Sequence, residues 1–263
     1  MTSQNVNALF QGALDDGTLG AGAMAAIGNI PDMGAQIQMG LGISVDDVTA
    51  SEVTLVTMMP DDSGSIRFVA GNTEAVREGC NTILDALGAS KQKDGILVHN
   101  RYLNGNTLFP YTTLDQAVRM DASNYNPNQG TPLYDQTAVL LATVLAKARE
   151  FEDNGVACRT VTAIITDGAD EHSRSQSAAS IKKIVTDMLR METHIILFMG
   201  IADGYTDFQR VAAEMGIPSE FVLTPKNSPS EIRKAFMVVS QSAVRASQGG
   251  AAFSKVALGG FGA

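Results

Sequence analysis

Three short segments rich in side-chain oxygen contain the residues of this chain that are best suited to chemistry. They are residues 61–65 (Asp-Asp-Ser-Gly-Ser), residues 130–135 (Gly-Thr-Pro-Leu-Tyr-Asp) and residues 166–170 (Thr-Asp-Gly-Ala-Asp). Carboxylates and hydroxyls suit Mg²⁺ or Mn²⁺, and no Cys or His interrupts them, which argues against Zn²⁺. Because so few of these ligands are charged, we expect an electrophilic metal with one open position that attracts an external carboxylate.

Apolar runs of β type alternate with helical patterns along most of the chain. This alternation predicts an α/β fold, doubly wound, with a mostly parallel sheet and helices on both faces. Pro110 is tolerated only at a sheet edge, so residues 107–113 should form a short edge strand. Ligands in such folds bind beyond the carboxyl ends of the strands, where the three segments should meet. The predicted strands are 53–60, 95–103, 107–113, 159–166, 194–201 and 220–223; helical patterns cover 66–87, 133–151, 175–191, 207–215 and 230–245.

In order and spacing, the three segments resemble the metal-ion-dependent adhesion site (MIDAS) of von Willebrand factor A (vWA) domains. The motif is Asp61-x-Ser63-x-Ser65 with Thr131 and Asp167 downstream, and the flanking Gly-Thr-Pro-Leu-Tyr and Ile-Thr-Asp-Gly fit as well. The resemblance covers about residues 51–245. It implies a Rossmann-like vWA fold in which the short edge strand is antiparallel. It also implies that these five residues surround the metal, the hydroxyls directly and the aspartates directly or through water, and that a partner's Glu or Asp completes the shell.

Two positions depart from the family pattern. Pro60 is unexpected before the first ligand, and Asp62 occupies a position that is usually apolar. Asp62 is either an ordinary surface residue or one that strengthens cation attraction and discourages acidic partners. We assign five residues to a partner-binding rim around the metal, although the last three are more often typical of a solvated loop: Asp62, Tyr134, Asp170, Glu171 and His172.

Each motif taken alone has a structural explanation. Asp, Ser and Thr favour helix N-caps, and Asp-Gly favours a turn after a strand. The occurrence of all three in the order and context of the family favours the metal site. His99 and His194 have no partner at metal-ligand spacing and are expected to be structural.

The overall composition excludes several functional classes. With 19 Lys plus Arg against 28 Asp plus Glu, the net charge is −9, which argues against nucleic-acid binding. Two cysteines are too few for a disulfide scaffold, and no signal peptide or apolar run of membrane-spanning length is apparent. There is also no phosphate-binding loop motif. We therefore expect an acidic cytoplasmic protein that is not itself a P-loop ATPase.

The chain divides into three parts by composition. Residues 1–50 form an N-terminal extension rich in Gly, Ala and Met, which either packs on the main domain or orders on a partner. Residues 51–245 form the vWA-like domain. Residues 246–263 form a Gly-rich tail that is either flexible or docks through its apolar residues Phe253, Val256, Leu258 and Phe261.

The resemblance favours a binding protein over an enzyme. Stand-alone intracellular vWA proteins often serve AAA+ ATPases of the MoxR or chelatase type, so we expect a metal-dependent adaptor with such a partner. One alternative is a structural or assembly subunit that makes its contacts through its termini. A metal-dependent hydrolase is less favoured, because only Asp62, Asp170 and His172 are available as general bases.

Overall fold

Six strands form one sheet in the part of the chain that the structure describes, residues 3–248 of a computed structural model. They are β1 (Glu52–Pro60), β2 (Ile96–Arg101), β3 (Thr107–Thr113), β4 (Ala157–Thr166), β5 (His194–Gly200) and β6 (Val222–Leu223). Their order is β3-β2-β1-β4-β5-β6, and every neighbouring pair is parallel except β2 and β3. The predicted mostly parallel sheet with one short antiparallel edge strand is confirmed.

Within residues 3–248, eight α-helices cover both faces of the sheet. They are α1 (Ser3–Asp15), α2 (Ala21–Gly28), α3 (Met33–Leu41), α4 (Asn72–Gly88), α5 (Leu133–Glu152), α6 (Ala178–Arg190), α7 (Phe208–Glu214) and α8 (Pro229–Gln248). Successive strand residues point to opposite faces. Met58 therefore contributes to the core under α4 and α8, whereas Met59 contributes to the core shared by α5, α6 and α7.

The described part of the N-terminal extension packs on the main domain. Phe10, Ile27 and Ile37 are fully buried in the same apolar core as α5 and α6. Two buried cations also hold this segment. Arg101 donates to the carbonyl of Gln36 at 3.2 Å, and Lys147 donates to the carbonyl of Ile43.

Helix α8 continues three residues beyond the predicted end at residue 245. Ala246, assigned to the tail by composition, is helical and buried. The remainder of the predicted tail, residues 249–263, lies outside the described residues. Over residues 3–248, no helix has both the length and the hydropathy required to cross a bilayer.

Candidate metal centre

The sheet brings the first and third oxygen-rich segments together. β1 and β4 are adjacent and parallel, and Pro60 lies opposite Ile165 in their register. Asp61 therefore leaves β1 beside the position where Thr166 and Asp167 leave β4. The carboxylates of the two segments meet because their strands end at the same edge of the sheet.

Three predicted ligands converge through their side-chain oxygens. Ser65 Oγ donates to Asp167 Oδ1 at 2.7 Å, and Ser63 Oγ lies 3.2 Å from the same oxygen. The two serine hydroxyls are 2.9 Å apart. Mutual contacts at these distances indicate that the three oxygens share one small space, as ligands of a single ion must.

Asp61 connects the two strand ends from beneath this group. Its Oδ1 accepts from the backbone N–H of Ser63 at 2.7 Å, and its Oδ2 accepts from the Thr166 hydroxyl at 2.8 Å and from the Asp167 N–H at 3.3 Å. The hydroxyl of Tyr125 donates to the Asp61 carbonyl. Both carboxylate oxygens of Asp61 therefore accept bonds from the protein, and Asp61 fixes the positions of Ser63, Thr166 and Asp167.

The part of the chain that the structure describes does not balance the negative charge of the centre. Burial raises the pKa of Asp61, and burial together with the neighbouring Asp61 charge raises the pKa values of Asp62 and Asp167 to about 7. Among the ion pairs of the described residues, none involves these three carboxylates. A bound divalent cation would supply the missing positive charge.

Thr131, the fifth predicted ligand, is held through its backbone. Its N–H donates to His172 Nδ1 at 2.9 Å, and its carbonyl accepts from the N–H groups of Glu171 and His172 at 3.1 and 3.3 Å. The Thr131 hydroxyl lies close to residues 166–170, since a Cβ added at Gly168 would be 3.9 Å from Thr131 Oγ1. The loop after β4 therefore fixes the loop that carries Thr131.

Two aspartates hold these loops to the start of α5. Asp170 Oδ1 accepts from the N–H of Tyr134 at 3.2 Å and from the Ser173 hydroxyl at 2.5 Å. The Asp135 carboxylate accepts from three consecutive backbone N–H groups, those of Arg174, Ser175 and Gln176, at 2.8, 3.0 and 2.7 Å. The sequence did not assign Asp135 to the site, because a carboxylate in the first turn of a helix is common in any protein.

The five predicted rim residues have different roles in the structure. Glu171 and His172 are exposed, and Tyr134 is half-buried against the core. Asp170 accepts from the N–H of Tyr134 at the start of α5, and His172 accepts from the N–H of Thr131, so both side chains stabilise the loops. Asp62 is not a surface residue: it is only 5% exposed, and its Oδ1 accepts from the N–H of Asn104 at 3.0 Å.

The donor set fits a small, hard cation that keeps some of its water. No cluster of three or more His, Cys, Asp or Glu side chains able to hold a metal occurs within residues 3–248. The centre instead combines the carboxylates of Asp61 and Asp167 with hydroxyls. Such a set suits Mg²⁺ or Mn²⁺, which accept oxygen ligands and retain waters.

Comparisons with known proteins show a shared fold. The sequence matches no protein-family model and no curated protein. Among solved structures, proximal thread matrix protein 1 from the mussel byssus is 15% identical with a TM-score of 0.50, covering 72% of this chain and 48% of that one. The pilus adhesin SpaC from Lactobacillus rhamnosus GG is 12% identical with a TM-score of 0.52, covering 75% and 30%.

A von Willebrand factor type A structure from Catenulispora acidiphila is 18% identical, with a TM-score of 0.48 and coverage of 74% of this chain and 43% of that one. This last likeness, below a TM-score of 0.5, carries no weight. The chain spans less than half the length of each of these three structures. At such low identities, the first two likenesses concern the α/β fold alone.

Proposed function

We propose that this protein binds Mg²⁺ or Mn²⁺ through Asp61, Ser63, Ser65, Thr131 and Asp167 and uses the ion to bind a partner protein. The observation that carries the proposal is the convergence of Ser63, Ser65 and Asp167 on one space above a buried Asp61, where no described residue forms an ion pair with these carboxylates. The metal would supply an open coordination position for a Glu or Asp of the partner. The protein's own hydrogen bonds hold the ligands in place.

The same contacts favour a binding role over an enzymatic one. A general base must have a free acceptor within reach of the reacting group. Of the three candidate bases, His172 has its Nδ1 atom occupied by the N–H of Thr131, and Asp62 is only 5% exposed. The carboxylate of Asp170 is fixed at the start of α5 by the two bonds that its Oδ1 accepts, from Tyr134 and Ser173. We therefore propose an adaptor and not a hydrolase. Measurable Mg²⁺-dependent hydrolysis of generic phosphoesters by the purified protein would contradict this assignment.

Metal binding is tested by calorimetric titration of the purified protein with Mg²⁺ and Mn²⁺. Ser65→Ala removes one ligand and one hydrogen bond to Asp167, so it should weaken binding strongly. Asp203→Asn is the matched control, because Asp203 lies in the loop after β5 and accepts only from its own turn, from Tyr205 and Thr206. If Ser65→Ala and Asp203→Asn bind Mg²⁺ as tightly as the unmodified protein, the metal site is wrongly assigned.

The partner is tested by capture from a lysate of the source cells, with Mg²⁺ or with EDTA. An AAA+ ATPase of the MoxR or chelatase type, in the cytoplasm, is our proposed partner, and the sequence resemblance is its support. A protein retained with Mg²⁺ but lost with EDTA and with Ser65→Ala would establish an adaptor. A partner retained under all conditions would favour the alternative, an assembly subunit that binds through surfaces remote from the metal.

A further inference from the structure

A cavity of about 170 Å³ is lined in part by the loop that follows β1. Asp62 lines it, and the adjacent Asp61 and Ser63 belong to the metal site. The rest of the wall consists of amide and hydroxyl side chains and two tyrosines, among them Asn104, Asn126 and Gln129. Among the described residues, the lining contains no Lys or Arg, so the one formal charge that these residues place on the wall is the negative charge of Asp62.

Asp62 is a buried carboxylate without a counter-charge. The described residues provide its side chain with one donor, the N–H of Asn104, and with no ion pair. Its backbone is fixed as well, because its carbonyl accepts from the N–H groups of Asn128 and Gln129 at 2.9 and 3.0 Å. Burying an unpaired charge is unfavourable. A cation entering the cavity would therefore be bound by a carboxylate that is already in place.

The two tyrosines of the wall add to the attraction for a cation. Tyr102 donates its hydroxyl to the carbonyl of Asn124 at 2.8 Å, and Tyr125 donates its hydroxyl to the carbonyl of Asp61. Their ring centroids are 5.7 Å apart. Since both hydroxyls are used by the protein, the tyrosines contribute their rings to the wall. Aromatic rings attract ammonium and guanidinium groups.

We propose that this cavity is a cation subsite that binds the ammonium or guanidinium group of a Lys or Arg side chain. The side chain would belong to the same partner whose carboxylate reaches the metal, and this part of the inference rests on the proposed function. A suitable partner then carries a basic residue close to the acidic one. Asp62 would repel a partner surface that carries only carboxylates.

The subsite is tested without metal or partner, by NMR titration in EDTA at pH 8. The probes are N-acetyl-arginine amide and its uncharged isostere N-acetyl-citrulline amide. We expect the arginine probe to shift the backbone signals of Asn104 and Gln129 saturably, with the citrulline probe binding about tenfold more weakly because it lacks a charge-assisted hydrogen bond. Equal binding of the two probes would overturn the proposal.

Two variants complete the design. Asp62→Asn keeps an acceptor for the Asn104 N–H and should lose the preference for the arginine probe. Asp203→Asn removes the same charge from the loop after β5, where Asp203 accepts from Tyr205 and Thr206 and is not part of the cavity wall, and should keep the preference. If both variants behave alike, or if Ca²⁺ or Mg²⁺ displaces the arginine probe from the cavity, the proposal is wrong. If the protein binds the arginine probe but does not bind Mg²⁺, the proposed metal-dependent function is wrong and the cation subsite is supported.

Discussion

The hydrogen bond from the Thr131 N–H to His172 can be tested by mutation. The same variants also test whether Thr131 is a metal ligand. A backbone N–H can only donate, so His172 Nδ1 must be an acceptor and the imidazole proton must lie on Nε2. Thr131 is 6% exposed, so its N–H has little access to water as a substitute. His172→Leu should leave this donor without a partner, whereas His172→Asn places an oxygen at the same bond separation from Cα as Nδ1.

The expected magnitude follows from the cost of an unsatisfied buried donor, about 1–3 kcal/mol. His172→Leu should lower the free energy of unfolding by that amount in urea titrations, and His172→Asn should recover most of it. Mg²⁺ affinity, measured by calorimetry, should follow the same order because Thr131 is a proposed ligand. In the unmodified protein, the ¹⁵N chemical shifts of the imidazole should report an Nε2–H tautomer.

Glu171→Gln is the matched control for this series. Glu171 contacts Thr131 only through its backbone N–H, which the substitution retains, so both stability and Mg²⁺ affinity should be unchanged. Equal losses in His172→Asn and His172→Leu would show that the imidazole acts by packing. Unchanged Mg²⁺ affinity in a destabilised His172→Leu protein would show that Thr131 is not a ligand.

Three other outcomes are expected. Asp167→Asn should weaken Mg²⁺ binding measured by calorimetry, because a carboxylate becomes a neutral amide. Gly79→Ala should lower the free energy of unfolding by about 1–3 kcal/mol in thermal or urea unfolding, since its Cβ would lie 2.2 Å from the Phe236 ring and overpack the contact between α4 and α8. His99 and His194 are buried, and burial lowers their pKa values from 6.5 to about 4, so the unfolded chain takes up more protons between these pH values. Their contribution to the free energy of unfolding is full above pH 6.5 and is lost as the pH falls towards 4. His194→Asn should therefore reduce the difference between the free energies of unfolding measured at pH 5 and at pH 7.

Much of the fold could be predicted because strands and helices have different apolar periods. Pro110 correctly placed residues 107–113 at the sheet edge, where a missing N–H costs no ladder hydrogen bond. The helical spacing from residue 66 was misleading at its start. Residues Gly64–Phe68 form a 3₁₀ turn, and α4 begins only at Asn72, after Gly71 adopts a φ of +89°. The spacing of the apolar residues does not show that the 3₁₀ turn and α4 are separate elements.

The candidate site was less accessible to sequence reasoning. The ligand segments could be found because parallel strands end at a common edge, which places Asp61 and Asp167 together whatever the loops do. The support of Thr131 could not be found, since it involves backbone groups of Glu171 and His172 that any residue possesses and a bond from the Thr131 N–H to the His172 imidazole that depends on how the two loops fold. The burial of Asp62 was also hidden, because it depends on the loop that carries Asn104 and not on its neighbours in sequence.

The charge distribution at the centre limits what kind of partner can bind there. Asp61 accepts three hydrogen bonds from uncharged donors, which leave its negative charge in place. Asp61, Asp167 and whatever the partner brings would therefore together offset the charge of a bound divalent ion. In the proposed complex, a partner carboxylate would gain from the ion but would approach Asp62, whose charge no described residue offsets. A basic group on the same partner removes that penalty by entering the cavity beside Asp62. The ion would then provide affinity for acidic groups in general, and Asp62 would select those with a basic neighbour.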